Sequence, residues 1–237
     1  MAISTNMKMI NIRILGLGLL MSFSLIGCDD SSYEEPVFFP DAEGTFVDAR
    51  DGYEYRWVRI GGLDWSVDNA HFYTDNETCT IQQDDQMGGS LVYSDKHLKK
   101  YGYLYTYQGA LKAVPEGWRL PTDDDWQSLE KALGMSAREA SSVGWRGNTG
   151  LLMQQESEGT MLDMKLGGYY TPYFYGDGAG YLFLGVYGFF WTSTQDTSKD
   201  GEYVFYRKLM YDSKKVYRQS MEKDGNKMSV RFVRDAQ

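Results

Sequence analysis

The sequence predicts a domain of mixed structure, in which short strands paired with near neighbours outnumber a few short helices. Three observations predict it. Aromatic residues make up 15% of the chain, with 19 tyrosines, and such residues favour β structure. Turn signals containing glycine separate alternating segments early in the chain, which is typical of hairpins. Further along, hydroxyl-bearing residues precede apolar helical patterns and are suited to cap helices.

The N-terminus resembles the signal peptide of a bacterial lipoprotein. Lys8 and Arg13 supply positive charge near the start, and residues 14–27 are then uncharged and largely apolar, as in a secretory signal. This stretch is too short to span a bilayer, which takes about 20 residues. It ends in the letters LIGC, similar to a lipobox, and the resemblance implies removal of residues 1–27 and attachment of lipid to Cys28. The alternative is an ordinary signal peptide followed by an unrelated cysteine.

Residues 28–44 predict an acidic tether. They include Pro36 and Pro40, which favour extended backbone, and they precede a single domain predicted over residues 45–237. Acidic residues directly after a lipidated cysteine resemble the surface-export signal of lipoproteins from the Bacteroides group. That resemblance implies a lipid-anchored protein of the outer membrane, at the cell surface. In enteric bacteria the same aspartate would instead imply retention at the inner membrane.

Net charge argues against one class of partner. The formal charge is −9, and loss of residues 1–27 removes two basic side chains and no acidic one, which gives −11. Nucleic acids are bound by basic surfaces, so we do not expect nucleic acid as a partner. The expected membrane contact is the lipid on Cys28, because no later segment is apolar for long enough to cross a bilayer.

The domain is predicted to open with a three-stranded meander. Residues 46–50 lead into the turn signal Asp51-Gly52, and residues 53–58 then alternate between aromatic and other side chains. Residues 63–67 return after Gly61-Gly62. The polar residues 69–97 that follow predict a long loop.

The middle of the domain predicts the helices. Residues 101–107 are extended and residues 108–113 predict a short helix. Thr122 is suited to cap a helix with negative charge in its first turn. Trp126, Leu129 and Leu133 share one face of that helix. Gly134 ends the helix, and Ser136 with Glu139 matches a second capping box.

The C-terminal part predicts further strands, at 180–194, 202–211, 215–221 and 229–234. The segment 180–190 is apolar on both faces, which predicts a central, buried strand. Five tryptophans lie within alternating or helical patterns and are expected in the core: Trp57, Trp65, Trp118, Trp126 and Trp191.

An ordered series of motifs resembles a known family. In chain order they are DGYEYRWVRIGGLDWSVDN, YGYLYTYQGA, VPEGWRLPTDDDW, LGGYY, YGFFWTST, YRKLMYDSKKVYRQS and SVRFVRD. Together they resemble the Fibrobacter succinogenes major paralogous domain, from about Asp48 to Asp235. Val114 stands where family members commonly carry a cysteine, so a disulfide at that place is absent.

This family is similar to the formylglycine-generating enzymes, which also carry an Arg-Leu-Pro-Thr element before a helix. The resemblance implies an α+β fold of C-type-lectin-like, sulfatase-modifying-factor-like type, with antiparallel strands, about two helices and long irregular loops. It does not imply their activity, because those enzymes depend on a pair of cysteines and only Cys79 remains here once Cys28 is lipidated.

Candidate chemistry elsewhere is sparse, and we expect no enzyme, cofactor or metal site. Asp123–Asp125 supplies oxygens of the kind that Ca²⁺ prefers, but a charged first helical turn explains them better. Ser193 lacks a nucleophile-elbow motif. His71 and His97 form no helical ligand pair. Nothing basic flanks Cys79 in sequence to activate its thiol.

A cluster of aromatics around Pro172 is the candidate ligand-binding site. It is predicted to be a loop, because a proline interrupts it and Gly176-Asp177-Gly178 follows. Tyrosine offers a large apolar face and a hydroxyl, as a binding site needs. The alternative is that these rings fold back and cap the core. The candidate residues are Tyr169, Tyr170, Tyr173, Phe174 and Tyr175.

Two classes of function fit these observations. The first is a non-enzymatic, lipid-anchored surface module for binding or adhesion, with a glycan or a surface protein as ligand. The second is a structural or assembly subunit of the cell envelope or of a surface appendage such as a pilus, in which aromatic patches bury against a neighbour.

Overall fold

A computed structural model describes residues 37–83, 95–174 and 178–236 of the chain. The predicted lipidation site Cys28 lies outside these residues, as does Tyr175. The described residues form an α+β fold with antiparallel sheets and four α-helices. No helix among them is both long and apolar enough to cross a membrane.

The first sheet confirms the predicted meander and extends it. Strands β1 (Ala42–Val47), β2 (Glu54–Ile60) and β3 (Leu63–Ser66) pair in sequence, and β12 (Val233–Asp235) joins β3 at the edge. Gly61 and Gly62 form the β2–β3 turn with φ of +64° and +81°, which glycine adopts without steric cost. The folded region begins before residue 45, because β1 starts at Ala42.

The second sheet has four strands in the order β6-β11-β10-β9. These are β6 (Gly144–Arg146), β9 (Tyr187–Gln195), β10 (Tyr203–Met210) and β11 (Val216–Glu222). Strands β10 and β11 confirm two predicted strands.

The prediction of one strand over residues 180–194, central and buried over 180–190, is wrong. Strand β8 (Gly178–Leu182) ends, the chain turns, and β9 begins at Tyr187. The turn needs left-handed backbone at Phe183 and Gly185, with φ of +62° and +74°. The apolar residues of this segment do not form a buried strand, because Phe183 and Val186 are exposed in the turn.

Two small sheets of two strands each contain one strand from a segment that was predicted to be a loop. Strand β4 (Cys79–Ile81) pairs with β5 (Tyr103–Tyr105), and β7 (Tyr169–Phe174) pairs with β8. Polar and aromatic composition suggested loops here, but pairing with a remote partner satisfies the backbone hydrogen bonds.

Four helices are present among the described residues, rather than about two. They are α1 (Asp95–Tyr101), α2 (Tyr107–Ala113), α3 (Asp123–Ala132) and α4 (Ala137–Ser141). Helix α1 begins inside the last three residues of the predicted 69–97 loop and continues to Tyr101. The capping predictions are confirmed, because Thr122 and Ser136 each form a capping box with the residue three positions later.

The second sheet separates two hydrophobic cores. Successive residues of β9 face opposite sides, so that Trp191 packs in one core and Phe190 packs in the other with Trp126 and Leu129. Trp65, Trp126 and Trp191 are fully buried and Trp118 nearly so, as expected, whereas Trp57 is only half-buried.

A buried ionic network joins α3 to the second sheet. The carboxylate of Asp123 pairs with Arg207 at 2.6 Å and with Arg218 at 2.7 Å. Glu130, two turns further along the same face of α3, pairs with Arg207 at 2.7 Å and with Arg146 at 2.6 Å. These ion pairs with arginine account for the buried carboxylate of Asp123 in the first turn of α3.

Candidate functional site

Strand β7 separates the aromatic residues predicted to form one site. Tyr169 is half-buried, with its ring centroid 4.6 Å from that of Phe189, and burial raises its pKa. Tyr173 is 64% exposed, and its hydroxyl donates to the carboxylate of Asp224. The side chain of Phe174 and the whole of Tyr175 lie outside the described residues. Of the five candidates, Tyr170 lines a cleft.

We refer to this feature as the tyrosine cleft. It has a volume of about 450 Å³. Rings from four different stretches of chain meet in two close pairs, with centroids 5.1 Å apart for Tyr170 and Tyr181 and 5.9 Å apart for Tyr73 and Tyr103. Its lining residues are Tyr73, Asn76, Cys79, Thr80, Ile81, Tyr103, Tyr170, Tyr181 and Lys227.

Strand pairing brings these remote residues together. Tyr170 lies directly opposite Tyr181 in the β7–β8 ladder, and Ile81 lies opposite Tyr103 in the β4–β5 ladder. Cross-strand partners on one face are close enough for their side chains to touch. A hydrogen bond of 2.7 Å between the hydroxyls of Thr80 and Tyr181 links the two ladders.

The segment carrying Lys227 joins the two small sheets from behind. Lys227 and Tyr170 exchange two backbone hydrogen bonds, of 2.9 and 3.0 Å, and Met228 does the same with Tyr105. The cleft is therefore held on backbone ladders rather than on loops. Such support keeps the rings in place before a ligand arrives, which lowers the entropy lost on binding.

Hydrogen-bonding groups accompany the rings. The Tyr73 hydroxyl donates to Asn76 at 2.8 Å. Burial raises the pKa of Tyr103, so its hydroxyl remains a neutral donor at physiological pH. Flat apolar faces with hydroxyl and amide groups between them suit a ligand that is itself part apolar and part hydroxylated.

Cys79 contributes little chemistry to the cleft. Its side chain is 3% exposed, and its thiol donates to the backbone carbonyl of Asp75 at 3.2 Å. Ser193, the other nucleophile considered, donates its hydroxyl to the carbonyl of Pro121. Among the residues with defined coordinates, no group of three or more His, Cys, Asp or Glu side chains is placed to hold a metal ion.

A row of three aromatic side chains and one lysine crosses the second sheet from half-buried Trp145 to buried Phe189, and we call it the outer aromatic row. Trp145, Tyr217, Lys208 and Phe189 are successive cross-strand neighbours on β6, β11, β10 and β9. The Lys208 ammonium lies 4.2 Å from the ring centroid of Tyr217 and 5.0 Å from that of Trp145. Burial among the rings lowers the pKa of Lys208, and cation–π attraction compensates part of that cost.

The sequence identified Tyr170 but missed most of the cleft. The alternating tyrosines at 101–107 signalled a strand with an aromatic face, and this signal could have nominated Tyr103. Tyr73 and Tyr181 stand in stretches predicted as loop or buried strand. Nothing in the local sequence marks Lys227.

Comparison with known proteins identifies the family. No curated protein and no solved structure matches the chain. The model of the family described as the Fibrobacter succinogenes major domain matches residues 58–234, well over half of the chain. All the residues that line the tyrosine cleft fall within this span. The chain therefore belongs to the Fibrobacter succinogenes major domain family.

Proposed function

We propose that this protein is a non-enzymatic carbohydrate-binding module that is held at the bacterial cell surface by lipid on Cys28 and binds a glycan in the tyrosine cleft. The observation that carries the proposal is the cleft itself, with four tyrosines, Thr80 and Asn76 around one cavity. Sugar rings have apolar C–H faces that pack on aromatic rings and hydroxyls that need hydrogen-bond partners, and this lining offers both.

The setting of the cleft supports binding rather than catalysis. Its thiol is buried and bonded to a carbonyl, and its lysine contacts backbone carbonyls and a ring rather than a titratable pair. General acid–base chemistry on a glycan usually uses two facing carboxylates, and the cleft lining contains none.

The finer fold assignment and the location belong to the same proposal. The antiparallel sheets with long irregular connections are compatible with the C-type-lectin-like architecture that the family resemblance suggests. The signal and acidic tether at residues 1–44 suggest export and presentation at the outer membrane.

A glycan array tests the proposal. The full chain, kept soluble in a polyoxyethylene detergent so that no detergent sugar competes, should bind a defined set of glycans. The double change Tyr170→Ala and Tyr181→Ala should weaken that binding by about 1 kcal/mol or more, because both rings would be anchors.

The matched control is Tyr211→Ala, which removes a tyrosine that is 59% exposed and does not line the cleft. It should leave binding unchanged. Equal loss in both variants, or no glycan bound by the wild type, would refute the cleft as a carbohydrate site.

The outer aromatic row favours a second candidate function, a structural subunit of the envelope or of an appendage. Trp145 and Tyr217 are half-buried, and exposed Val186 and Tyr211 lie at the adjoining end of the sheet. Such a surface could bury against a neighbouring subunit. Trp145→Ala would then disrupt assembly while glycan binding persists.

A further inference from the structure

Lys227 lies in the wall of the tyrosine cleft and forms no ion pair with any residue that the structure describes. Its side chain is 8% exposed. Its ammonium lies 3.3 Å from the carbonyl oxygen of Cys79 and 3.5 Å from that of Asn76, and 5.4 Å from the ring centroid of Tyr170. Within the described residues no carboxylate lies within 4.0 Å of it.

The neighbouring carboxylate is already engaged. Asp75 accepts hydrogen bonds from the backbone N–H groups of Glu77 and Thr78. Its other oxygen pairs with Lys112 at 3.3 Å. These contacts lower the pKa of Asp75 to about 2, so the carboxylate stays ionised, and it attracts Lys227 through space without forming an ion pair with it.

The position of Lys227 is costly unless a ligand compensates it. Removing an ammonium from water without a counter-charge is unfavourable, and two long hydrogen bonds to carbonyls offset only part of that cost. Burial accordingly lowers its pKa. An aliphatic residue would fill the same space at no electrostatic cost, so the charge itself calls for a functional explanation.

We infer that the tyrosine cleft selects a sugar bearing a carboxylate, which Lys227 binds as its missing counter-ion while Tyr170 and Tyr181 pack against the sugar ring. This inference rests on the proposed carbohydrate-binding function and names its ligand class. A charge-assisted hydrogen bond in a partly desolvated site is about twice as strong as a neutral one, so the charge would dominate selection between otherwise identical sugars.

Matched polysaccharides test the inference on the full chain in polyoxyethylene detergent. Polygalacturonate, alginate, hyaluronan and polysialic acid are each compared with their carboxyl methyl esters, which keep the backbone and remove the charge. The wild type should bind at least one acid form about tenfold more tightly than its ester. Lys227→Met should remove that preference by weakening the acid form, with the ester affected by less than about twofold.

Two controls separate this inference from the proposed function. Tyr181→Ala should weaken acid and ester alike, because the ring contact does not depend on charge. Melting curves establish whether Lys227→Met is folded. If it is not, the ratio of acid to ester affinity in the wild type alone decides whether the cleft selects a carboxylate.

A wild type that binds only neutral glycans on the array would overturn the inference and leave the proposed function standing. Absence of binding to any glycan would overturn both, and an acid preference that survives in folded Lys227→Met would overturn the role of Lys227.

Discussion

At the scale of single residues, buried arginines organise the interior of this protein. Arg207 is fully buried between Asp123 and Glu130. Arg231 is also fully buried but forms no ion pair within the described part of the chain, donating instead to the side chain of Asn69 and to three backbone carbonyls. Burial lowers the pKa of Arg231 to about 10. Such groups are stable in a core only when every donor has an acceptor, so each arginine fixes the positions of several remote segments.

The buried network predicts a pH-dependent stability that depends on Asp123. Burial opposes ionisation of this carboxyl, but its bonds to Arg218 and Arg207 prevail and lower its pKa to about 2. Because the folded pKa is lower than the unfolded one, the contribution of Asp123 is complete above about pH 4 and is lost as the pH falls towards 2.

Asp123→Asn should therefore cost about 3 kcal/mol at neutral pH, since Arg218 loses this counter-charge and Arg207 keeps only that of Glu130. The difference from wild type should shrink between pH 4 and pH 2, as measured by urea unfolding. Asp124→Asn is the matched control, because Asp124 is exposed in the same helical turn. It should change stability by no more than about 0.5 kcal/mol, and a cost equal to that of Asp123→Asn would contradict the network's role.

At the scale of elements, strands and helices with local signals could be predicted, whereas those with remote partners could not. The β2–β3 hairpin and the capped helix α3 are defined by turn and cap residues a few positions apart. Strand β7 has no such signal. It forms because β8, the next strand, and Lys227, opposite Tyr170, supply its hydrogen bonds. The proline and glycines of this stretch suggested a loop, and Lys227 cannot be identified as a partner from the local sequence. The cleft was missed for the same reason.

Strand β7 predicts opposite outcomes for two tyrosines four residues apart. Tyr169→Ala should lower the free energy of unfolding by about 2 kcal/mol, because its ring packs on Phe189 and leaves a cavity. Tyr173→Ala should cost about 0.5 kcal/mol or less, because its ring is largely exposed. Thermal or urea unfolding measures both. Equal costs would mean that β7 does not pass from the core at Tyr169 to the surface at Tyr173.

At the scale of the whole molecule, the fold places its binding surface where chain-remote segments meet. The sequence was sufficient for strands, helices and the aromatic character of the site, because these depend on composition and on short spacings. It was insufficient for β12 beside β3, which joins residues about 170 positions apart, and for Lys227 beneath Tyr170. Such pairings depend on the packing of both cores, which no local pattern encodes.

The tyrosine cleft can be tested directly by nuclear magnetic resonance of the protein with ¹³C-labelled tyrosine rings, titrated with the glycan bound most tightly on the array. The ring resonances of the four cleft tyrosines should shift together and give the same dissociation constant, because all four line the cleft. These are Tyr73, Tyr103, Tyr170 and Tyr181. The ring resonances of Tyr211 and of Tyr217 in the outer aromatic row should not shift. Saturable binding that shifts Tyr217 and leaves the four cleft tyrosines unchanged would contradict the cleft as the carbohydrate site.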